Sequence, residues 1–194
     1  MDRANFRRHL PSAAFVAVAS VALALLVALL VYFGAYDIAA DAPHTRPVYA
    51  LLDSLRDRSI AVRARGIAPP ADLNAPLRIS TGAGLYNEMC TSCHLGPGVE
   101  RSELSQGLYP QAPELVAPQD MTPAQQFWII KHGVKLSAMP AWGKTHPDPL
   151  IWDMVAFIRK LPGMTPAQYK RFVATAPGDH DEMMMDMPAM KNSR

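Results

Sequence analysis

The sequence predicts an all-α protein in which one N-terminal transmembrane helix precedes a small helical domain. Residues 13–35 form an apolar run that only the mildly polar Ser20 interrupts. Two later segments, 47–65 and 148–161, repeat apolar residues at the spacing of an amphipathic helix. The chain has 194 residues. Without the apolar run and the two ends, roughly 100 residues remain for one core.

The apolar run 13–35 predicts a retained membrane anchor. A spanning helix needs about 20 apolar residues, whereas the apolar part of a cleaved signal peptide has about 7 to 15. Cleavage near the small residues 38–40 is the alternative. The preceding segment 1–12 contains three arginines, and positive charge stays in the cytoplasm. The sequence therefore predicts a single-pass protein of the bacterial inner membrane, with everything after the anchor in the periplasm.

Residues 36–76 are predicted to form a periplasmic stalk helix followed by a proline-rich linker. The helix covers 47–65, and Pro69, Pro70 and Pro76 prevent the following segment from being helical throughout. Two interpretations of the helix stay open. It is either a solvated stalk, or it lies on a membrane surface or a partner subunit through its basic residues Arg56, Arg58, Arg63 and Arg65.

The run Cys90-Thr91-Ser92-Cys93-His94 predicts one covalently attached haem c. Two thiols at this spacing add to the two vinyl groups of a porphyrin, and the next histidine becomes the proximal iron ligand. The chain has only two cysteines, which excludes a four-cysteine zinc or iron–sulfur site. A zinc site using His132 and His146 has no familiar spacing, and a redox dithiol lacks the surrounding strand–helix alternation.

Residues 77–163 resemble a class I cytochrome c domain. Gly82 and Tyr86 precede the cysteine motif at the spacing of this family's first helix. The family's last helix is matched by 148–161, with Phe157 at the place of its packing aromatic and Pro162-Gly163 ending it. The resemblance implies a helical domain that encloses the haem, in which Gly82 lets the last helix approach closely.

The sixth iron ligand is predicted to be Met139, which gives a metal site of His94 and Met139. Because Met139 precedes Pro140, its backbone is extended, which suits a loop that presents a thioether to iron. The resemblance implies the same Met-Pro pair. The alternative is that Met139 is one more core methionine, as expected for Met89 and Met154. Met121 and Met164 lack the loop context.

Three further cofactor contacts are implied by the resemblance alone. Pro113 and Leu115 match the family's Pro-x-Leu pattern, in which the proline carbonyl accepts the second ring N–H of the proximal histidine. Pro97 and Pro110 are rivals for that role. Trp142 is expected to reach a haem propionate or to cover the haem edge. The resemblance implies no catalytic residue, and His132 and His146 are expected on the surface or in loops.

A histidine–methionine pair leaves no open coordination position, which predicts electron transfer without a small-molecule substrate. The expected protein is a carrier or an electron-transfer subunit of a respiratory or periplasmic oxidoreductase chain rather than a stand-alone catalyst. Its partners are a redox donor and a redox acceptor, and the membrane through the N-terminal helix. The formal charge of +2 and the even spread of basic residues do not predict a nucleic-acid surface. A high-spin, gas-binding haem would require that Met139 does not bind iron.

Residues 164–194 are predicted to be a C-terminal extension that ends in a methionine-rich acidic tail. The segment 179–190 contains five methionines among acidic residues. Clustered thioethers select copper(I), so a metal-handling protein with a copper-binding tail is the alternative function. The other interpretation is a terminus without a fold of its own.

Overall fold

A computed structural model describes residues 12–177, and this part of the chain contains helices and turns but no β-strand. The predicted all-α class is confirmed. The chain divides into two compact units between Ala42 and Pro43. The three arginines of the N-terminus and the methionine-rich tail lie outside the described residues.

The first unit contains helix α1, Ala13–Tyr32. Its N-cap is Ser12, whose side chain accepts a hydrogen bond from the backbone N–H of Phe15 at 3.2 Å. The helix has a mean hydropathy of 2.9 over its most apolar window. Its length and composition are sufficient to span a bilayer, and a signal sequence would meet the same criterion.

The second unit contains seven helices and one 3₁₀ turn among the described residues. They are α2 Arg46–Arg63, α3 Pro76–Met89, α4 Thr91–His94, α5 Glu103–Gln106, α6 Pro123–His132, the 3₁₀ turn Trp142–Lys144, α7 Asp148–Ile158 and α8 Pro166–Ala174.

The core of this unit is built on the crossing of α3 and α7. A Cβ atom added to Gly82 would lie 1.9 Å from the backbone oxygen of Asp153 and 2.9 Å from Cβ of Phe157. The rings of Tyr86 and Phe157 pack beside this point with centroids 5.5 Å apart, and both side chains are fully buried. The prediction that Gly82 permits close approach of the last helix is therefore confirmed.

Helices α6 and α8 begin with the same tetrapeptide, Thr-Pro-Ala-Gln, at residues 122–125 and 165–168. In each, the threonine hydroxyl accepts the backbone N–H of the glutamine at 3.3 Å. The glutamine side chain accepts the threonine N–H at 2.8 Å in return. These capping boxes satisfy two backbone donors at each helix start, and proline at the first position suits the helical backbone.

Helix α8 packs on the domain, although the sequence places it in the extension 164–194. Tyr169 is buried, and its hydroxyl donates to Oδ1 of Asn87 at 3.0 Å. Beyond the helix, the carbonyl of Thr175 accepts from Ser80 Oγ at 3.2 Å. Residues as far as Ala176 therefore contribute to the folded unit: the rings of Tyr169 and Phe172 pack against Phe157 of α7, with centroids 6.2 and 6.1 Å away, and Ala176 lies beside Gly84 of α3.

Helix α2 also belongs to this unit rather than forming a separate stalk. Its C-terminal part buries Ile60 and Ala64, and the helix packs against α6. Just before α2, the backbone N–H of His44 donates to the hydroxyl of Tyr109 at 2.8 Å. The interpretation of α2 as a solvated stalk is therefore corrected, since one face of this helix is part of the core.

An ion-paired carboxylate at the α3–α7 crossing gives the protein a pH-dependent stability. Asp153 Oδ1 accepts from Arg78 at 2.6 Å. Burial raises the pKa of Asp153 above its ordinary value of 3.8, Arg78 opposes this, and the carboxylate of Asp72 adds to it. A carboxyl whose pKa is raised by folding binds a proton more tightly in the folded chain than in the unfolded chain. Its contribution to the free energy of unfolding is therefore complete below pH 3.8, the ordinary pKa, and is lost as the pH rises through the higher pKa of the folded state.

We expect the free energy of unfolding of the native protein, minus that of Asp153→Asn, to fall as the pH rises from 3 to 7. Denaturant titrations of both haem-loaded proteins across this range would measure the difference. A difference that grows with pH would mean that pairing with Arg78 outweighs the burial of the carboxylate, contrary to this expectation.

Candidate haem site

The cysteine motif lies on one helical turn at the end of α3. The backbone N–H groups of Cys93 and His94 both donate to the carbonyl of Cys90, at 3.2 and 2.8 Å. Cys90 is buried and Cys93 is half-buried. Burial, with a smaller effect of Cys93, raises the pKa of the Cys90 thiol to about 12. The motif thus presents two thiols and one imidazole from a single short segment.

The ring of His94 is held from one side by the chain. Its Nδ1 lies 2.8 Å from the carbonyl oxygen of Pro113. Because a carbonyl can only accept, Nδ1 carries the proton and Nε2 keeps its lone pair. Burial lowers the pKa of His94, while the bond to Pro113 opposes that change. The neutral form with a free Nε2 is the form that binds a metal ion.

The loop after the motif is fixed by three polar contacts. The buried hydroxyl of Tyr86 donates to the carbonyl of Leu95 at 2.6 Å, and Leu95 has a positive φ of 60°. Ser102 Oγ donates to the carbonyl of Ser92 at 2.6 Å. Arg101 and Glu114 form an ion pair at 2.6 Å. Since Glu114 directly follows Pro113, this pair restrains the segment that holds the His94 ring.

A closed loop presents Met139. Val134 N–H donates to the carbonyl of Met139 at 3.2 Å. Ser137 Oγ donates to the carbonyl of Val134 at 2.8 Å and accepts the N–H of Met139 at 3.2 Å. The loop begins at Gly133, with a φ of +65°, where an added Cβ would lie 2.7 Å from the Met139 carbonyl oxygen. The backbone on both sides of the thioether is therefore constrained.

The remaining predicted contact residues meet at one core. Leu115, Met139 and Trp142 are partly buried and pack against the cluster of buried residues that includes Cys90. His94 and Pro113 are in direct contact with each other. Two thiols, one imidazole nitrogen and one thioether, combined with apolar side chains, are the chemistry that a haem c requires. The residues present therefore fit this cofactor.

A comparison with protein families agrees with this donor set. The family described as cytochrome c oxidase, cbb3-type, subunit III matches residues 78–158. Residues 78–158 form a class I c-type cytochrome domain. This cytochrome domain implies a covalently bound haem c and a role in electron transfer. No curated protein and no solved structure matches the chain.

The matched residues lie inside the predicted domain 77–163, and the structure adds helices on both sides of them. The cytochrome domain packs against α8 through the loop that follows the motif. A Cβ added to Gly96 would lie 3.2 Å from the Tyr169 ring, and one added to Gly98 would lie 2.9 Å from Cβ of Pro166. Helix α8 therefore supports the cysteine motif, and the repeated Thr-Pro-Ala-Gln signal could have identified its start.

One histidine of the cytochrome domain lies in a loop, as expected, but is not on the surface. His146 lies in the bend between the 3₁₀ turn and α7, and its side chain is buried. Its Nδ1 lies 2.8 Å from Thr145 Oγ1 and 3.3 Å from the carbonyl of Trp142. Its ring packs edge-on to Trp142, with centroids 5.4 Å apart. His146 therefore restrains Trp142 from the core side. His132 is exposed, as expected.

The proposed copper-binding segment 179–190 lies outside the described residues. The family match contains none of it. Among residues 12–177, no group of three or more histidine, cysteine or acidic side chains is arranged to hold a metal ion.

Proposed function

We propose that this protein is a membrane-anchored monohaem c-type cytochrome that transfers single electrons. Cys90 and Cys93 would hold the haem, and His94 and Met139 would bind its iron. The contact between His94 Nδ1 and the Pro113 carbonyl is the observation that carries this proposal, because it leaves Nε2 as the metal-binding atom. The haem, when bound, supplies a one-electron iron couple.

The chain's own residues determine how that couple behaves. The Pro113 carbonyl fixes the His94 ring and raises its basicity. Met139 offers a neutral sulfur, which favours reduced iron and raises the potential. If His94 and Met139 both bind the iron, no position on it remains for a small-molecule substrate. Trp142 and Leu115, which pack against the core cluster, would cover apolar surface of the cofactor and exclude water from it.

The anchor supports a location at the bacterial inner membrane. Helix α1 has the length and hydropathy of a spanning segment. The arginines that precede it in the sequence favour a cytoplasmic N-terminus, and with that orientation the cytochrome domain would be periplasmic. The family match is described as subunit III of a cbb3-type cytochrome c oxidase. We therefore propose that this protein is a carrier or an electron-transfer subunit of a respiratory or periplasmic chain, with a redox protein on either side.

The decisive experiment compares optical spectra of the haem-loaded native protein and Met139→Ala, oxidised and reduced. We expect the variant to lose a weak near-infrared sulfur-to-iron band completely, and its reduced form to bind carbon monoxide. The reason is that an open sixth position accepts an external ligand.

Met164→Ala is the matched control, because Met164 is also partly buried against the core. This variant should keep the near-infrared band, and its reduced form should not bind carbon monoxide. Carbon monoxide binding by the reduced native protein would contradict the electron-carrier proposal and favour a gas-binding haem.

A further inference from the structure

Helix α2 exposes a second face that the core does not use. Ile60 and Ala64, which are only 3% and 6% exposed, mark the buried side. The opposite side consists of residues at alternating spacings of four and three, which form a continuous line on a helix. We name this line the outer stripe, and its members are Leu51, Leu55, Arg58, Val62 and, in the turn after the helix, Arg65.

The outer stripe combines exposed apolar and cationic side chains. Leu51, Leu55 and Val62 are 68%, 63% and 41% exposed. Arg58 and Arg65 are exposed as well. Large apolar side chains at this exposure, arranged in a line, indicate a surface that contacts something other than water.

The charge of this face remains positive after the ion pairs of the helix are considered. Both acidic residues of α2, Asp53 and Asp57, pair with Arg56, at 2.6 and 2.8 Å. Arg63 donates to Ser59 Oγ at 2.7 Å, which is a neutral acceptor and leaves its charge uncompensated. A binding partner of the outer stripe must therefore offer apolar groups to its leucine and valine side chains and negative charge to its arginines.

We propose that the outer stripe docks on the surface of an anionic phospholipid bilayer. Such a surface offers acyl chains to leucine and valine, and phosphate groups to arginine, at depths of about 5–10 Å. The proposal rests on the proposed anchor. Only residues 33–45 separate α1 from α2, and a chain of this length extends to at most about 45 Å. Helix α2 therefore stays within reach of the bilayer that holds α1.

The test uses the full-length, haem-loaded chain in phospholipid vesicles. Because the haem occupies the thiols of Cys90 and Cys93, the variant Leu55→Cys offers a single site for a nitroxide spin label. The collision rates of this label with oxygen, which concentrates in lipid, and with a water-soluble nickel chelate report its surroundings. Leu104→Cys provides the matched control label, because Leu104 is 54% exposed on another helix.

We expect the label at position 55 to be lipid-exposed in vesicles containing phosphatidylglycerol and water-exposed in pure phosphatidylcholine. The label at position 104 should be water-exposed in both. Each arginine near an anionic surface contributes a factor of about five to binding. The double variant Arg58→Glu, Arg65→Glu should therefore lower the ratio of docked to undocked label by at least about 25-fold.

A label at position 55 that stays water-exposed on anionic vesicles would overturn the docking proposal, and so would equal insertion into neutral vesicles. Immobilisation only after an acidic partner protein is added would also overturn it. The haem spectrum of the same samples and retention of the chain in carbonate-washed vesicles report the proposed function and the anchor separately. Failure of docking alone would leave both of these unchanged.

Discussion

Gly82→Ala should destabilise the protein by more than about 3 kcal/mol, because the new methyl group overlaps backbone rather than a movable side chain. The Cβ atom would lie 1.9 Å from the Asp153 oxygen and 2.6 Å from its carbonyl carbon. Helices α3 and α7 would have to separate along their crossing, where the rings of Tyr86 and Phe157 pack against each other. Denaturant unfolding of the haem-loaded protein measures this loss.

Whether Gly82→Ala lowers or raises the free energy of unfolding distinguishes the steric overlap at the crossing from helix propensity. Gly82 lies inside a helix, where alanine is favoured over glycine by about 1 kcal/mol, so helix propensity alone predicts stabilisation. Gly84→Ala on the same helix is the control, because its added Cβ meets only the side chain of Ala176, at 3.1 Å. It should retain at least about 2 kcal/mol more stability than Gly82→Ala. A Gly82→Ala protein more stable than the native one would contradict the close crossing.

Gly133→Ala should weaken both the fold and the iron–sulfur contact. A non-glycine residue at the φ of +65° and ψ of −172° of Gly133 costs about 1–3 kcal/mol by itself, because essentially only glycine adopts this backbone region. The added Cβ would also lie within 2.8 Å of three backbone atoms of Met139 and Pro140. We expect a total loss of about 3 kcal/mol or more, and a reduced near-infrared sulfur-to-iron band, since the loop must move to accommodate the methyl group.

Gly163→Ala separates the cost of a positive φ from the cost of the overlap with the Met139 segment. Gly163 also has a positive φ, of +78°, but an added Cβ meets nothing within 4 Å. This variant should lose only about 1–2 kcal/mol and keep the full near-infrared band. If the two variants behave alike, the collision with the Met139 segment has no consequence for the site.

Local patterns in the sequence were sufficient to predict the elements that carry the donor set. A long apolar run, a cysteine motif with an adjoining histidine, and an amphipathic stripe closed by Pro162-Gly163 each depend on neighbouring residues only. They predicted α1, the motif on α3 and α4, and helix α7 within three residues at its end. The close approach at Gly82 followed from resemblance to a family that shares this crossing.

Features that depend on distant contacts were not predicted. Helix α8 is short, and its apolar residues Tyr169, Phe172 and Val173 indicate a helix without indicating what covers it. Only the folded chain brings Tyr169 against Asn87 and Gly96. His146 lies in a loop as expected, but its burial was not predicted, because the sequence of a loop does not show which of its side chains the rest of the chain covers.

The support that α8 gives to the cysteine motif imposes an order of events during biogenesis. Pro166 and Tyr169 lie about seventy residues after the motif, so at about 5–20 residues per second they are synthesised several seconds later. The contacts of Pro166 and Tyr169 with the motif loop therefore form only after the whole motif has been synthesised, so α8 is the last of the described helices that can stabilise the cytochrome domain.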